Sequence, residues 1–203
     1  MNRLDDHEDM RRAWDALGSY SGALAFNVGA NIGQAAKVLA GNFERVISFE
    51  PCQESYRILA DESPANVIAV PAALTDHEGT VTLTESAYSI TTGQLTTGSG
   101  LAWGEKVGER SVACSTVDAE VELYGVPDLI QVDTEGHEVP VIQGALATIS
   151  EHHPHLLIEV HRKEHEGQIK EMCPGYTWDV LHYNDRRDRL TGFNHFWMLG
   201  ANT

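Results

Sequence analysis

Acidic and histidine side chains follow two predicted strands in the second half of the chain. The hexapeptide DTEGHE (133–138) comes directly after an apolar run, and Glu159-Val160-His161 closes the next one. In open α/β sheets, ligands bind beyond the shared edge where parallel strands end. A hydroxyl nucleophile benefits from a base with a pKa near neutrality, for which histidine is the usual side chain. We therefore predict Asp133, His137 and His161 as catalytic residues.

The same residues allow two other interpretations. Asp133, Glu159 and His161 offer oxygen and nitrogen donors, so a magnesium-type ion that lowers the pKa of a substrate hydroxyl is an alternative. The spacing does not require an ion, and we expect a site without one. Glu135 and Glu138 are also placed to cap the following helix, because its dipole favours negative charge at that end.

A glycine-containing turn follows the first predicted strand. The sequence FNVGANIG (26–33) lets the backbone approach a ligand closely, and the next helix presents unpaired N–H groups. A dinucleotide-binding turn would have glycine in place of Asn31 and Gln34, and a P-loop would need a Lys-Ser or Lys-Thr pair. Neither pattern is present, which favours a ligand with a carboxylate in place of phosphates.

An acidic residue closes the second predicted strand, in the sequence Phe49-Glu50-Pro51. Glu50 stands about 20 residues past the glycine turn, where a carboxylate accepts hydrogen bonds from ribose hydroxyls. A turn of this kind is also found where a helix packs closely on a strand, so the turn alone does not indicate a ligand. Glu50 is the residue that points to a nucleoside. A glycine turn and a ribose acid without phosphate-binding residues indicate S-adenosylmethionine as the cofactor.

The elements that must position these residues alternate between short apolar strands and helices. This alternation is typical of a parallel sheet covered on both faces, so we predict a doubly wound, mostly parallel α/β fold. Predicted strands are 24–28, 45–49, 67–70, 129–132, 156–160 and an antiparallel closing pair, 178–182 with 195–199; predicted helices are 5–17, 34–40, 54–60 and 138–149. A small extra β-hairpin (79–84 with 111–116) flanks a glycine- and threonine-rich segment, 91–108, predicted to be a mobile loop or a lid.

Length and composition limit the classes of protein. The 203 residues suit one domain spanning 1–203. With 14 Lys and Arg against 30 Asp and Glu, the net charge of −16 argues against a nucleic-acid partner. No apolar run approaches the ~20 residues of a membrane span, and the N-terminus lacks a signal-peptide pattern. Three widely spaced cysteines indicate no disulfide framework, which fits a cytoplasmic protein.

Several motifs together resemble the FkbM-type methyltransferases. They are FNVGANIG, ISFEPCQESYRIL, VPAALTDHEGTVTL, STVD, LIQVDTEGHEVPVIQGA and HLLIEVH, in the family's order from about Phe26 to His161. GYTW followed by NHFWML fits the family's closing hairpin, and VDTEGHE is the most specific motif. The resemblance implies the seven-stranded, Rossmann-like sheet of class I methyltransferases. It also implies S-adenosylmethionine as cofactor and, in many members, O-methylation of sugars or polyketides.

The resemblance further implies a set of cofactor-binding residues. The glycine turn would line the methionine end, the acid would hold the ribose, the alanine pair would meet the adenine, and Asp133 would lie beside the transferred methyl group. The set is Asn27, Gly29, Ala30, Asn31, Gly33, Glu50, Pro51, Ala72, Ala73 and Asp133. The family usually has Asp where this chain has Asn27, which keeps a hydrogen-bond acceptor for the cofactor's ammonium group but loses the charge.

The predicted function is S-adenosylmethionine-dependent methyl transfer to a hydroxyl of a glycan or small metabolite. Its partner would be that acceptor, with no membrane involved. Two alternatives stay open. One is a cofactor-binding module without catalysis, which the loss of the acid at Asn27 would fit, and the other is an NAD-dependent oxidoreductase on a similar fold.

Overall fold

The computed structural model describes residues 14–86, 93–95, 106–182 and 196–202. Its main sheet contains β1 (Gly22–Val28), β2 (Phe43–Phe49), β3 (Val67–Val70), β8 (Leu129–Val132), β9 (His155–Val160), β10 (Tyr176–His182) and β11 (Phe196–Asn202). The strand order is β10-β11-β9-β8-β1-β2-β3. Strand β11 runs antiparallel to both of its neighbours, and the other pairs are parallel. The predicted mostly parallel, seven-stranded sheet with an antiparallel C-terminal strand is confirmed.

Helices cover both faces of this sheet. They are α1 (14–19), α2 (Gln34–Leu39), α3 (Gln53–Glu62), α4 (Val117–Tyr124), α5 (Glu138–Gln143), α6 (Leu146–His152) and α7 (Lys163–Met172). On one face, Phe26 packs in a core that includes residues of α4 to α7. On the other face, Leu129 and Leu157 pack with Leu17 of α1 and Leu39 of α2. Burial on both faces explains why these strands are continuous apolar runs in the sequence.

The single helix predicted for 138–149 is two helices, α5 and α6, which meet at Gly144. A Cβ at Gly144 would lie 2.0 Å from the carbonyl oxygen of Thr75, so only glycine permits this approach. The first turn of α6 is capped by Asp118, a residue distant in sequence. Its carboxylate accepts from Ala147 N at 3.1 Å and from Thr148 N at 2.8 Å. Local apolar periodicity carries no sign of either contact.

A second, smaller sheet contains the predicted hairpin. It consists of β4 (Ala73–Leu74), β5 (Gly79–Ser86), β6 (Gly93–Leu95) and β7 (Lys106–Ser115), in the order β4-β7-β5-β6. Strand β6 and the start of β7 fall within the segment 91–108 that was predicted to be a loop or lid. Residues 91–92 and 96–105 of that segment, residues 5–13 of the first predicted helix, and His195 lie outside the described residues. Within the described part, no helix is long and apolar enough to cross a bilayer.

Candidate functional site

The carboxyl ends of four adjacent strands bring the predicted cofactor residues to one edge of the main sheet. Backbone hydrogen bonds connect each strand end to that of the neighbouring strand. Asp133 N donates to Val28 O at 2.9 Å, and Gly29 N donates to Phe49 O at 3.0 Å. Glu50 N continues the series by donating to Val70 O at 3.0 Å. The half-buried Ala72 and the buried Ala73 follow β3 after Pro71, and Pro51 follows Glu50. The predicted set is therefore contiguous in space.

The glycine turn approaches the end of β8 closely. Gly29 has a φ of 80°, and a Cβ built on it would lie 1.8 Å from the carbonyl oxygen of Asp133. Asn31 and Gly33 also have positive φ, at 49° and 89°. Because most side chains disfavour this conformation, the turn depends on glycine and on asparagine, which tolerates it best among the others. The turn residues 29–33 and Glu50 are called the glycine-turn region below.

Glu50 connects the turn to the end of β2. Its Oε2 accepts from Asn31 N and its Oε1 from Cys52 N, both at 2.7 Å. Burial raises the pKa of this carboxyl to about 7, because removal from water disfavours the charged form, although the two backbone donors oppose the shift. Each carboxylate oxygen has more than one acceptor site, so Glu50 can still accept hydrogen bonds from a diol.

Asn27 lies one residue before the end of β1 and is fully buried. Its Nδ2 donates to Ser48 Oγ at 3.3 Å, while its Oδ1 has no hydrogen-bond partner among the described residues. A buried polar oxygen without a partner is costly, so such an atom in a folded protein calls for an explanation such as a bound group or an ordered water. The orphaned acceptor is at the position where the resemblance implies a contact with an ammonium group.

A second group of side chains gathers at the ends of β8 and β9. It consists of Asp133, Glu135, Glu138, Glu159, His161 and His165 and is called the carboxylate–histidine cluster below. Glu138 is fully buried at its centre. Its Oε1 accepts from Gly136 N at 2.7 Å and from His161 Nδ1 at 2.8 Å, and its Oε2 accepts from His165 Nδ1 at 2.7 Å. Burial opposes ionisation of Glu138, but the hydrogen bonds from the two histidines outweigh it and lower its pKa.

The second ring nitrogen of His161 faces three further carboxylates. His161 Nε2 lies 3.3 Å from Glu135 Oε2, 3.7 Å from Asp133 Oδ1 and 3.9 Å from Glu159 Oε1. Burial lowers the pKa of the imidazole, but the charges of Glu135 and Glu138 prevail and raise it well above its usual value. Burial and the adjacent Glu159 carboxylate raise the pKa of Asp133. Asp133 nevertheless keeps 35% of its side-chain surface exposed, so an incoming group can reach it.

The His137 side chain has a different partner from the histidines of this cluster. It is almost completely buried, and its Nε2 lies 2.9 Å from Thr75 Oγ1. Because Thr75 donates its hydroxyl hydrogen to Asp76, His137 Nε2–H is the donor in this pair. Burial lowers the pKa of His137 to about 4. The contact joins the loop after β8 to the end of β4, and the low pKa makes the ring a weak base.

Reasoning from sequence did not identify Glu138 or His165 as members of the site. Glu138 was expected as a helix cap, and it does open α5. Its two histidine partners lie 23 and 27 residues away, on the far side of another helix and strand. The spacing of four between His161 and His165 is the one signal that could have suggested a shared partner. It is weak, because His161 precedes α7 and His165 lies within its first turn.

Comparisons with known proteins establish the family and the fold. A family model described as the methyltransferase FkbM domain matches residues 27–190. A comparison with curated proteins finds no match. Among solved structures, the chain is similar to the methyltransferase FkbM from Methylobacillus flagellatus KT, with a TM-score of 0.60 and 18% identity, over 89% of this chain and 44% of that one. The chain thus spans less than half the length of that protein.

Two further structures share the fold. Precorrin-6y C5,15-methyltransferase from Geobacter metallireducens GS-15 has a TM-score of 0.58 and 9% identity, covering 100% of this chain and 93% of that one. The 1,6-didemethyltoxoflavin-N1-methyltransferase from Burkholderia thailandensis, with bound 1,6-didemethyltoxoflavin and S-adenosylhomocysteine, has a TM-score of 0.52 and 13% identity, covering 98% and 80%. These identities establish a shared fold. Because the family model covers well over half of the sequence, the chain belongs to the FkbM methyltransferase domain family.

Proposed function

We propose that the chain transfers a methyl group from S-adenosylmethionine to a hydroxyl of a glycan or small metabolite. The observation that carries the proposal is the Glu50 carboxylate, which joins the turn after β1 to the end of β2 through Asn31 N and Cys52 N at 2.7 Å each. This arrangement supports the proposal, because the carboxylate that would accept from the ribose and the close-approach turn are neighbours at the edge of the sheet where ligands bind.

The residues of the glycine-turn region fit this cofactor. Glu50 would accept from the ribose hydroxyls, and the backbone after β3, at Ala72 and Ala73, would face the adenine. The orphaned Asn27 Oδ1 would accept from the ammonium group, directly or through a water molecule. When bound, S-adenosylmethionine supplies a methyl group on a positively charged sulfur, which a nucleophile displaces in line. The relative with bound S-adenosylhomocysteine supports this assignment.

The carboxylate–histidine cluster supports a hydroxyl as the acceptor. A hydroxyl must lose its proton during methyl transfer, whereas a neutral amine can attack without a base. Asp133 is the group we assign to this task, because it is partly exposed at the edge and because burial and the neighbouring Glu159 carboxylate raise its pKa. His161 would act beside it as a positively charged neighbour held by Glu138. His137 would have the structural role that its bond to Thr75 indicates.

The cofactor assignment is tested by calorimetry with S-adenosylhomocysteine on the purified chain and on Glu50→Ala. Loss of hydrogen bonds to a charged group should weaken binding by about 1.5–3 kcal/mol. Glu62→Ala is the matched control, because Glu62 is an exposed acid at the far end of α3 that pairs with Lys37. Equal affinity in Glu50→Ala and in the control would contradict the ribose assignment.

The reaction is tested with methyl-labelled S-adenosylmethionine and a panel of sugars and hydroxylated small molecules. Mass spectrometry of the product locates the label, and a label on oxygen is the expected outcome. A label on nitrogen or carbon would contradict the hydroxyl as acceptor, but it would still support methyl transfer as the activity. Cofactor binding without transfer to any acceptor would favour a silent binding module. Saturable NADH binding in place of S-adenosylhomocysteine would favour an oxidoreductase.

A further inference from the structure

Two buried side-chain amides in the main sheet have oxygen atoms without a hydrogen-bond donor. Asn27 Oδ1 and Gln131 Oε1 are both inaccessible to solvent, and neither has a partner among the described residues. Asn27 is 0% exposed and Gln131 is 2% exposed. Leaving a buried acceptor unpaired costs free energy, so each of these two oxygens calls for a donor. Gln131 has no part in the site described above.

The two amides are neighbours in the sheet. Asn27 of β1 and Gln131 of β8 are register partners in a parallel pair of strands. Because side chains alternate between the two faces of a strand, Asn27 shares a face with Ala25, and Gln131 shares a face with Leu129. Ala25 and Leu129 pack in the same core cluster. Both amides therefore lie on the face of the sheet that α1 and α2 cover.

Ser48 fixes the direction of the Asn27 amide. Strand β1 lies between β2 and β8, and Asn27 Nδ2 donates to Ser48 Oγ of β2 at 3.3 Å. The oxygen of the same planar amide is therefore turned away from β2 and toward Gln131 on β8. Gln131 does not donate to this oxygen, since Asn27 Oδ1 has no partner among the described residues. A group that donates to both oxygens is the arrangement that would satisfy them.

One water molecule matches this pair of acceptors. Paired residues on adjacent strands lie about 4.8 Å apart, and a water that donates both hydrogens at about 2.8 Å bridges acceptors up to about 5.5 Å apart. The oxygen of such a water remains free to accept a third hydrogen bond. Asn27 and Gln131 stand two residues before Gly29 and Asp133, which are in backbone contact at the edge of the sheet. The amides thus lie one layer below the glycine-turn region.

We propose that Asn27 and Gln131 together hold one ordered water whose oxygen accepts from the ammonium group of the cofactor, which makes Gln131 a further binding residue. This inference rests on the proposed function, because S-adenosylmethionine supplies the ammonium group. The residues paired with Asn27 on the two neighbouring strands, Ser48 and Gln131, carry no positive charge. An acid at position 27 would be buried without a counter-charge from either of them, whereas two neutral amides form the acceptor without that cost.

The experiment is calorimetry with two ligands, S-adenosylhomocysteine and its analogue with hydrogen in place of the amino group. Both are titrated into the unmodified chain, Gln131→Leu and Gln143→Leu. Leucine is similar to glutamine in volume but has no acceptor, and Gln143 is an exposed glutamine of α5. Gln131→Leu should weaken binding of S-adenosylhomocysteine about tenfold, the scale of one hydrogen bond to a charged group, and leave binding of the analogue unchanged. Gln143→Leu should change neither affinity.

The outcomes separate this inference from the proposed function. Equal weakening for both ligands would give Gln131 a structural role only. Unchanged affinity for both would mean that its oxygen is satisfied by Asn27 or by a water that no ligand contacts, and either result would overturn the inference. If S-adenosylhomocysteine does not bind the unmodified chain, the proposed function fails as well. If it binds and Glu50→Ala weakens it, the cofactor assignment stands whatever Gln131→Leu shows.

A measurement on the unmodified chain covers the case in which Gln131→Leu does not fold. The nuclear magnetic resonance signals of the Asn27 and Gln131 side-chain amides should shift when S-adenosylhomocysteine is added, and should shift less with the analogue. The exposed Gln143 amide is the internal control and should shift with neither ligand. Equal shifts of the two buried amides with both ligands, or no shift with S-adenosylhomocysteine bound, would overturn the inference.

Discussion

The glycine-turn region and the carboxylate–histidine cluster lie at the same edge of the sheet but are built by different means. In the first, Glu50 is held by two backbone N–H groups, and the turn closes on β2 through Gly29 N and Ala30 N, each 3.0 Å from Phe49 O. In the second, the His161 ring is surrounded by the carboxylates of four residues. One region is a shaped backbone surface with a single acid, and the other is a buried ionic network.

The difference indicates how each region can tolerate change. A backbone surface depends on φ angles and on the absence of side chains, so a single methyl group can destroy it. An ionic network depends on every partner, because removal of one leaves a buried charge without compensation. We therefore expect the cluster to be the more costly region to disturb, and the glycine-turn region to be the more sensitive to small steric changes.

The largest effect is expected for Glu138→Ala, which removes the shared acceptor of His161 and His165. Breaking a buried ionic contact from one side costs about 3–5 kcal/mol of the free energy of unfolding. Denaturant unfolding measures the change, with Glu164→Ala as the control because that side chain is exposed. If Glu138→Ala lowered the free energy of unfolding no more than Glu164→Ala does, the cluster would not be a cooperative network. The two regions would then not differ in the way described above.

A smaller but still large effect is expected for Gly29→Ala. The added Cβ would meet Asp133 O at 1.8 Å, and the residue would keep a φ of 80° that alanine disfavours. Together these should cost about 2–4 kcal/mol of folding free energy and abolish measurable cofactor binding. Gly167→Ala is the control, since nothing lies within 4 Å of its Cβ and it sits inside α7. That variant should gain about 0.5–1 kcal/mol from helix propensity.

The smallest effect is a pH dependence of cofactor affinity set by Glu50, whose pKa burial raises to about 7. Below that value the carboxyl is neutral and is a weaker acceptor for ribose hydroxyls; above it, the carboxylate forms stronger, charge-assisted bonds. Affinity for S-adenosylhomocysteine should therefore rise about three- to tenfold from pH 6 to pH 8. Glu50→Gln should flatten this rise. If the pH dependence of affinity were the same in Glu50→Gln as in the unmodified chain, a group other than Glu50 would be responsible for it.

The fold and the arrangement of the glycine-turn region were largely predictable. The run LAFNV (24–28), the following glycine turn and Glu50 predict a strand, a sharp turn and an acid, and the structure brings them together as hydrogen-bonded neighbours. Apolar runs also predicted β3, β8 and β9 nearly to the residue. The helix break at Gly144 was missed, and the backbone contact that requires glycine there, with the carbonyl oxygen of Thr75, is distant in sequence.

The residues alone encode the strand and helix alternation, the turn after β1 and the acid after β2. These features follow from short-range rules, since period, turn chemistry and strand ends are set within a few residues. The folded chain adds three facts: Glu138 accepts hydrogen bonds from two histidines, His137 bonds to Thr75 and not to Glu138, and Asp133, Glu159 and His161 converge. Those outcomes depend on how side chains from separate strands and helices meet in three dimensions, which no local pattern of residues encodes.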